Sequence, residues 1–217
     1  MYKVLIVEDH PLFSEGLAQL IETMPQYEVA GNVTNINDAL SFLENTSINL
    51  VIVDLNLGDE DGLELIKLIK TKYPKIIILV LSMHDERFYS ERALKAGANG
   101  YIMKEEAGAK VLEAIKTVMA GKVWLSENER LRLNDCLTGT GKGIAAGNDN
   151  FANINTLSNR QLQIFTLIGK GLGTLEISQK LNLSTKTIDT HKEHLKLKLH
   201  CNTSQELRQL AIEWVSR

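Results

Sequence analysis

The chain has 217 residues, of which 44% are hydrophobic and 24% charged, a length and composition that predict two globular domains. No run approaches the ~18 consecutive apolar residues of a membrane span, and the charged residues near the N-terminus argue against a secretory signal. The two cysteines, Cys136 and Cys201, fit neither a disulfide framework nor a metal motif. Residues 1–125 contain 12 basic and 18 acidic residues, a net charge of −6, whereas residues 157–217 contain 9 basic and 5 acidic residues, a net charge of +4. Only the last part of the chain is therefore expected to bind a polyanion.

The first part of the chain alternates short apolar runs with amphipathic stretches. Continuous runs rich in β-branched residues occur at 4–7, 50–53 and 76–81, and weaker candidate strands at 27–33 and 100–103. Helical patterns lie between and after them, at about 11–24, 36–45, 61–72, 85–96 and 106–120. This order predicts the α/β class, with a (βα)5 doubly wound parallel sheet and the strand order 2-1-3-4-5.

The segment 124–153 is predicted to connect the first domain, 1–123, to a second domain, 154–217. Ser126 and Glu129 stand at capping-box spacing and predict a short helix over 126–137. The following stretch, 138–150, holds four glycines and lacks apolar periodicity, which indicates a flexible linker. Its Gly-Lys pair lacks the full spacing of a phosphate-binding loop and a preceding strand.

From Leu157 onward the pattern is wholly helical. Helices are predicted over 158–170, 175–181, 185–199 and 204–215, with a tight turn at 182–184 and Ser184 as the N-cap of the third helix. A short helix, a three-residue turn and a longer helix predict a helix-turn-helix within an all-α four-helix domain.

Charged or polar residues stand at the carboxyl ends of four predicted strands, which share one edge of the sheet. They are Glu8 and Asp9 after the first strand, Asp54 at the third, Ser82 at the fourth, and Lys104 just past the fifth. Three carboxylates brought together repel one another unless a divalent cation neutralises them. Oxygen ligands with room for water suit Mg²⁺.

The first 120 residues or so resemble a receiver domain of the CheY-like type, as found in two-component response regulators. The motifs that carry the resemblance are VED (7–9), VDLN (53–56), LSMHD (81–85) and GYIMK (100–104). The resemblance implies that Asp54 accepts a phosphoryl group from a sensor histidine kinase. It also implies that Mg²⁺ is held by Glu8, Asp9, Asp54 and the backbone carbonyl of Asn56.

The resemblance assigns phosphate-binding and switch roles to three further residues. Lys104 and Ser82 would each contact a phosphoryl oxygen, and Tyr101 would turn inward as Ser82 moves, although Tyr101 could also be an amphipathic residue at a strand edge. His10 and His84 flank the pocket and are interpreted as structural or partner-facing. Where the family usually has a Met-Pro-Gly turn, this chain has LGDEDG (57–62). The missing proline predicts a looser turn, and the segment adds three acidic residues beside the pocket.

The last ~60 residues resemble the DNA-binding domain of LuxR-type regulators. The matching stretches are LSNRQ (157–161), GLGTLEIS (171–178), LSTKTIDTH (183–191) and KL (198–199). A receiver joined to such a domain defines the NarL/FixJ class of response regulators. On a helical wheel Ile188, Leu195 and Leu199 face inward, and the predicted DNA-contacting residues are Lys186, Thr187, Asp189, Thr190, Lys192, Glu193, His194, Lys196 and Lys198.

The last helix is expected to form a homodimer contact as well as core packing. The side chains at helical spacing on it are Leu207, Leu210, Ala211 and Trp214. Histidines 191, 194 and 200 have no suitably placed cysteine or other fourth ligand for zinc. Leu197 points outward on the wheel, where nothing in the sequence explains it.

The leading hypothesis is a phosphorylation-activated transcriptional regulator in the bacterial cytoplasm, with a histidine kinase and promoter DNA as partners. Enzymatic activity is then limited to Mg²⁺-dependent phosphorylation of Asp54 and slow hydrolysis of the product. An aspartyl-phosphate phosphatase is disfavoured because the residue two after Asp54 is Asn56 and not an acid. A receiver driven by protein contacts or another ligand is disfavoured by the complete set of Glu8, Asp9, Asp54, Ser82 and Lys104.

Overall fold

A computed structural model describes residues 1–58, 60–138, 153–154 and 156–216. The chain divides into two compact units, Met1–Gly141 and Lys142–Arg217. The glycine-rich stretch predicted as a flexible linker lies, from residue 139 on, outside the described residues. Every helix in the described ranges is too short or too polar to cross a membrane.

The first unit is built on a five-stranded parallel sheet with the order β2-β1-β3-β6-β7. This order confirms the predicted doubly wound (βα)5 arrangement, because β6 and β7 are the fourth and fifth strands of the sheet. β3 is buried along its whole length, as its continuous apolar run predicts for a strand covered on both faces. The strands are β1 Tyr2–Val7, β2 Tyr27–Val33, β3 Leu50–Asp54, β6 Ile77–Ser82 and β7 Gly100–Met103.

Helices cover both faces of this sheet and supply the rest of the core. Val111, Ile115 and Val118 of α5 are fully buried against strand residues such as Ile6 and Leu79. The helices of the first unit are α1 Pro11–Glu22, α2 Ile36–Asn45, α3 Gly62–Lys72, α4 Glu86–Ala96, α5 Ala107–Met119 and α6 Glu127–Thr138. A 3₁₀ turn, Lys104–Glu106, precedes α5.

A short antiparallel hairpin lies between β3 and α3, where the sequence predicts only a loosened turn. Its strands are β4, Asn56–Leu57, and β5, Glu60–Asp61, with Asn56 paired to Asp61. Gly58 has a φ of 63°, a left-handed conformation that glycine adopts without a Cβ penalty. A pair of short strands thus follows β3 where the sequence predicts a looser turn.

Residues 124–138 belong structurally to the first unit, although the sequence analysis places them in the connecting segment. The carbonyl of Trp124 accepts a hydrogen bond from the backbone N–H of Tyr101 in β7, at 3.0 Å. Glu129 of α6 is 2% exposed. These long-range contacts explain the difference, because local composition reveals a helix but does not show where it packs.

The second unit contains the four helices that the sequence predicts. Gly169 lies at the crossing of two of them, and a Cβ at this position would meet the carbonyl oxygen of Ala211 at 2.3 Å. The core holds Phe165, Ile177 and Leu195, each fully buried. The helices are α7 Asn159–Gly169, α8 Thr174–Leu181, α9 Thr185–Lys198 and α10 Ser204–Val215.

Candidate functional site

Two buried carboxylates lie side by side at the carboxyl edge of the sheet. β1 and β3 are parallel neighbours with Val7 paired to Val53, so the residues that follow, Glu8 and Asp54, emerge next to each other. Each is only 3% exposed. Asp9 follows on the more open side of the pocket and is 28% exposed in its side chain.

The ammonium group of Lys104 joins these two carboxylates. Its Nζ lies 2.7 Å from Asp54 Oδ2 and 2.6 Å from Glu8 Oε2, and its side chain is 6% exposed. Burial alone would lower the pKa of Lys104, but the Asp54 and Glu8 carboxylates raise it above the usual value. Lys104 is therefore a fixed positive charge at the centre of the pocket.

Burial raises the pKa of Asp54 to about 6, although the charge and hydrogen bond of Lys104 act to lower it. At neutral pH most of the Asp54 carboxyl is ionised and can act as a nucleophile or as a ligand. The backbone N–H of Asn56 donates to Asp54 Oδ1 at 3.2 Å. This contact leaves the Asp54 carboxylate oriented by its own chain on one side and by Lys104 on the other.

Four potential metal-ligating side chains converge on the pocket. Ligand atoms of Glu8, Asp9, His10 and Asp54 all lie within 4.8 Å of one another. Asp9 Oδ1 is buried and accepts no hydrogen bond from the described residues, although His10 Nδ1 lies 2.8 Å away. His10 is 68% exposed and lies within 2.9 Å of Glu8 as well. An acceptor oriented into an acidic pocket in this way suits a divalent cation with oxygen ligands.

The hairpin after β3 arranges the rim of the pocket. The backbone N–H of Gly58 donates to Asp9 Oδ2 at 3.0 Å. Two of the extra acids have local partners, because Glu60 accepts from the backbone N–H of Ile36 at the start of α2 and Asp61 accepts from Leu63 N as the N-cap of α3. These two acids therefore stabilise helix N-termini, where negative charge is favourable. Residue 59, the third acid, lies outside the described residues.

Two residues predicted to respond to phosphate lie on neighbouring strands, Ser82 at the end of β6 and Tyr101 in β7. Ser82 is fully buried, and its hydroxyl accepts a hydrogen bond from the backbone N–H of His84 at 3.2 Å. Tyr101 is also fully buried, in the inward orientation, and its hydroxyl donates to the carbonyl of His84 at 2.8 Å. Tyr101 thus lies in the edge strand of the sheet, but its side chain is buried and not exposed to solvent.

In the second unit, α8 and α9 form a helix-turn-helix. Asn182 turns the chain between them in the left-handed conformation, with a φ of 53°. The hydroxyl of Ser184 accepts from the backbone N–H of Thr187, which makes Ser184 the N-cap that the sequence predicts. Ile188 and Leu195 face the core and are fully buried, as the helical wheel indicates.

The predicted DNA-contacting residues differ in how freely they face solvent. Lys192 is half-buried and donates to the hydroxyl of Thr174 in α8. Lys196 pairs with Glu193 at 2.8 Å, and Lys198 donates to the side chain of Gln161 at 2.9 Å. Thr187 is half-buried, whereas the exposed members of the set are Lys186, Asp189, Thr190, Glu193, His194 and Lys198. Of the predicted set, Lys186 is the exposed residue nearest the start of α9, which is the part of a recognition helix that reaches base edges.

Comparisons with known proteins match a family model to each unit and a relative to the whole chain. The family model described as "Response regulator receiver domain" matches residues 4–116, and the model described as "Bacterial regulatory proteins, luxR family" matches residues 155–211. The oxygen regulatory protein NreC of Staphylococcus carnosus (strain TM300) is 30% identical over 213 residues, which cover 97% of each chain. The chain belongs to the response regulators.

Two more proteins of this family resemble the whole chain. The transcriptional regulatory protein MctR of Rhizobium johnstonii is 30% identical over 211 residues, which cover 97% of this chain and 93% of MctR. A structure titled for the DNA interaction of the RcsB response regulator of Salmonella typhimurium has a TM-score of 0.58, with 26% identity and 96% of each chain covered. This response regulator thus joins a receiver domain to a LuxR-type DNA-binding domain.

In this response regulator, three of the four side chains singled out on the last helix have the predicted core packing and not the predicted dimer contact. Leu207, Leu210 and Ala211 are 2%, 8% and 0% exposed, so α10 directs them into the core of the second unit. Trp214 is half-buried. Because α10 packs on α7 through these residues, the first three are not available to a partner subunit without unpacking the domain.

Two residues in the receiver have more contacts than the sequence analysis gives them. His10 lies within the acidic cluster, and His84 contacts Ser82 and Tyr101 through its backbone and Asn56 through its ring, at 3.2 Å. A histidine directly after an acidic pair was the available signal for His10. The contacts of His84 depend on residues far away in the chain, so its sequence neighbours do not reveal them.

Proposed function

We propose that this response regulator is phosphorylated on Asp54 by a sensor histidine kinase and that phosphorylation activates its binding to promoter DNA. The observation that carries the proposal is the placement of Asp54, buried beside Glu8 and Lys104 at the carboxyl edge of the sheet. The site of chemistry and the helix-turn-helix lie in separate compact units, as expected of a switch domain and an output domain. We propose 1–123 as the receiver, 154–217 as the DNA-binding domain and 124–153 as the segment that joins them, of which residues 124–138 pack with the receiver in the first compact unit.

The chemistry follows from the pocket. An oxygen of the Asp54 carboxylate attacks the phosphorus of a phosphohistidine, the P–N bond breaks, and its electron pair remains on the imidazole nitrogen, which takes up a proton. Lys104 would then contact an oxygen of the transferred group as a point charge, and the hydroxyl of Ser82 would donate to another. Water slowly hydrolyses the resulting acyl phosphate and restores the Asp54 carboxylate.

The pocket residues fit a divalent cation of the Mg²⁺ type. Glu8, Asp9 and Asp54 would supply carboxylate oxygens, with the backbone carbonyl of Asn56 as a further ligand, and Asp9 Oδ1 is a buried oxygen that lies 2.8 Å from His10 Nδ1 but forms no hydrogen bond with it. Bound Mg²⁺ would neutralise charge on the transferring phosphoryl oxygens. Tyr101 would act as the aromatic switch by keeping the inward orientation that it already has when the hydroxyl of Ser82 is engaged.

The DNA-binding activity is supported by the exposed residues of α9 and by the relatives. MctR is named as a transcriptional regulatory protein, and the RcsB structure is titled for DNA interaction. Lys186, Thr190 and His194 face solvent on α9 and would enter the major groove of DNA in the bacterial cytoplasm. A homodimer on a repeated site is expected, with a contact surface other than the buried side chains of α10.

A labelling experiment with the full chain tests the proposal. With Mg²⁺ and labelled acetyl phosphate, the wild-type chain should carry label on the peptide that contains Asp54, and Asp54→Asn should carry none. Footprinting on genomic promoter fragments should show protection that acetyl phosphate strengthens in the wild type and leaves unchanged in Asp54→Asn. Label on the same peptide of Asp54→Asn, or full regulation in that variant, would exclude the proposed site.

A further inference from the structure

The first turn of α6 is capped by a residue of α4. The hydroxyl of Ser126 accepts from the backbone N–H of Glu129 at 3.2 Å, which is one half of a capping box. In a complete box the Glu129 carboxylate would accept from the backbone N–H of Ser126. That N–H donates instead to the carboxylate of Glu86, in the first turn of α4, at 2.9 Å. Helix α4 therefore completes the cap of α6.

The Glu129 carboxylate forms a second link between the same two helices. Its Oε1 accepts a hydrogen bond from the hydroxyl of Ser90 in α4, and both residues are buried, at 2% and 0% exposure. The guanidinium of Arg132 donates to both oxygens of Glu129, at 2.6 and 2.8 Å. A buried carboxylate is tolerated only when it is paired and hydrogen-bonded. The position of α6 thus depends on where α4 places Glu86 and Ser90.

The start of α4 is also linked to the candidate phosphorylation site, through His84. His84, which lies just before α4, contacts Asn56 through its ring at 3.2 Å and stacks on Tyr89 of α4 with 4.3 Å between ring centroids. Its backbone N–H donates to the hydroxyl of Ser82. One residue therefore joins the loop after Asp54, the end of β6 and the first turns of α4.

A phosphoryl group on Asp54 would alter these contacts. When the hydroxyl of Ser82 donates to a phosphoryl oxygen, its oxygen atom would move towards that group, and the N–H of His84, which donates to the same oxygen, would have to follow it or lose the bond. A shift of His84 moves the residues that follow it, including Glu86 and Ser90 in the first two turns of α4. A packed interface has discrete arrangements and does not stretch continuously, so a shift of Glu86 and Ser90 would break their hydrogen bonds to α6 and thereby favour its separation from α4.

We propose that α6 docks on the face of α4 formed by Glu86 and Ser90 in the unphosphorylated chain, and that phosphorylation of Asp54 loosens this docking. Helix α6 immediately precedes the segment that leads to the DNA-binding domain. Its release from α4 would therefore couple phosphorylation of Asp54 to a change in that connecting segment. The proposal rests on the proposed phosphorylation of Asp54. Coupling between two sites is reciprocal, so weaker docking must also strengthen binding of a phosphoryl analogue.

Hydrogen exchange of the full chain tests the coupling, with beryllofluoride and Mg²⁺ as the probe. The peptide that contains Asp54 should gain protection, which reports occupancy of the pocket, while amides of residues 129–134 should exchange at least about fivefold faster. Asp54→Asn should show neither change. Protection at Asp54 with unchanged or slower exchange in α6 would overturn this inference alone. No protection at Asp54 would overturn the proposed function and this inference with it.

Two variants with a matched control separate docking from general stability. Glu129→Ala and Ser90→Ala should each speed exchange in α6 without beryllofluoride and bind beryllofluoride at least about fivefold more tightly than the wild type. Glu127→Ala removes an exposed acid from the same first turn and should match the wild type in both measurements. Ser90→Ala, which removes a single hydroxyl, retains the test if Glu129→Ala fails to fold. Unchanged affinity in a folded variant with a loosened α6 would contradict the coupling.

Discussion

At the scale of single residues, the decisive feature is that burial and the charge of Lys104 shift the pKa of Asp54 in opposite directions. Burial raises its pKa to about 6, and Lys104 opposes that shift at 2.7 Å. A carboxyl group with an ordinary pKa near 4 would remain ionised down to about pH 5. The environment of Asp54 therefore lets a proton compete with a metal ion for its carboxylate near pH 6.

Mg²⁺ affinity should consequently fall as the pH falls through 6. Between pH 7 and pH 5 the ionised fraction of a group with this pKa drops about tenfold, so the Kd measured by calorimetry should rise by about the same factor. Asp54→Asn should bind Mg²⁺ weakly at both values and show no comparable drop. A constant Kd for the wild type over this range would contradict the raised pKa.

Glu86 provides a second prediction at this scale. Burial raises its pKa, although the hydrogen bond from Ser126 acts to lower it. A group whose pKa is raised by folding stabilises the fold while it is protonated, and this contribution is lost as the pH rises. Glu86→Gln retains an acceptor for Ser126 without the charge, so it should raise Tm more at pH 8 than at pH 4.5. An equal shift of Tm at both values would show that the carboxylate carries no burial penalty.

At the scale of elements, the β4–β5 hairpin and the start of α3 fix the geometry behind Asp54. Gly62 begins α3. A Cβ at this position would lie 2.2 Å from the backbone oxygen of Asp54, and this backbone atom cannot rotate away. The close approach of two backbones therefore requires glycine here.

Gly62→Ala should destabilise the receiver by roughly 2–3 kcal/mol, as overpacking does, and should reduce phosphorylation of Asp54 by displacing its backbone. The matched control is Gly16→Ala, because Gly16 is exposed in α1 and has nothing within 4 Å of the added Cβ. That variant should gain up to about 1 kcal/mol from helix propensity and be labelled normally. Urea unfolding and acetyl phosphate labelling measure both effects, and a fully stable, fully labelled Gly62→Ala would contradict the close approach.

At the scale of the whole molecule, charge is divided between the two units. The acidic part, 1–125, carries the pocket and the basic part, 157–217, carries the recognition helix. Affinity for DNA should therefore fall with salt, because cationic side chains release counterions from the phosphates that they contact. Exposed Lys186, at the start of α9, is the lysine of that helix with the fewest competing contacts among the described residues.

Lys186→Ala should weaken DNA binding and reduce the slope of log K against log salt by about 0.9, the value for one phosphate contact. Arg208→Ala makes the same change of charge on an exposed site of α10 and should leave the slope unchanged. Fluorescence anisotropy over a range of salt concentrations gives both slopes. Equal slopes for the wild type and Lys186→Ala would exclude a phosphate contact at this residue.

The sequence by itself determined the elements, their order and the residues at the pocket. Buried parallel strands appear in the sequence as continuous apolar runs, and the carboxyl ends of such strands lie at one edge of the sheet. The convergence of Glu8, Asp54 and Lys104 could therefore be predicted without coordinates. The helix-turn-helix was equally accessible, because Ser184 as an N-cap and the spacing of Ile188 and Leu195 are local signals.

Only the tertiary structure decided which side chains reach one another across distant parts of the chain. It directs Leu210 of α10 into the core, bonds Lys198 to Gln161, and lets Glu86 of α4 take the place of Glu129 in the cap of α6. Amphipathic spacing identifies the apolar side of a helix but not whether that side meets its own core or a partner. Such pairings depend on the position of whole elements in space, and local sequence carries little information about that position.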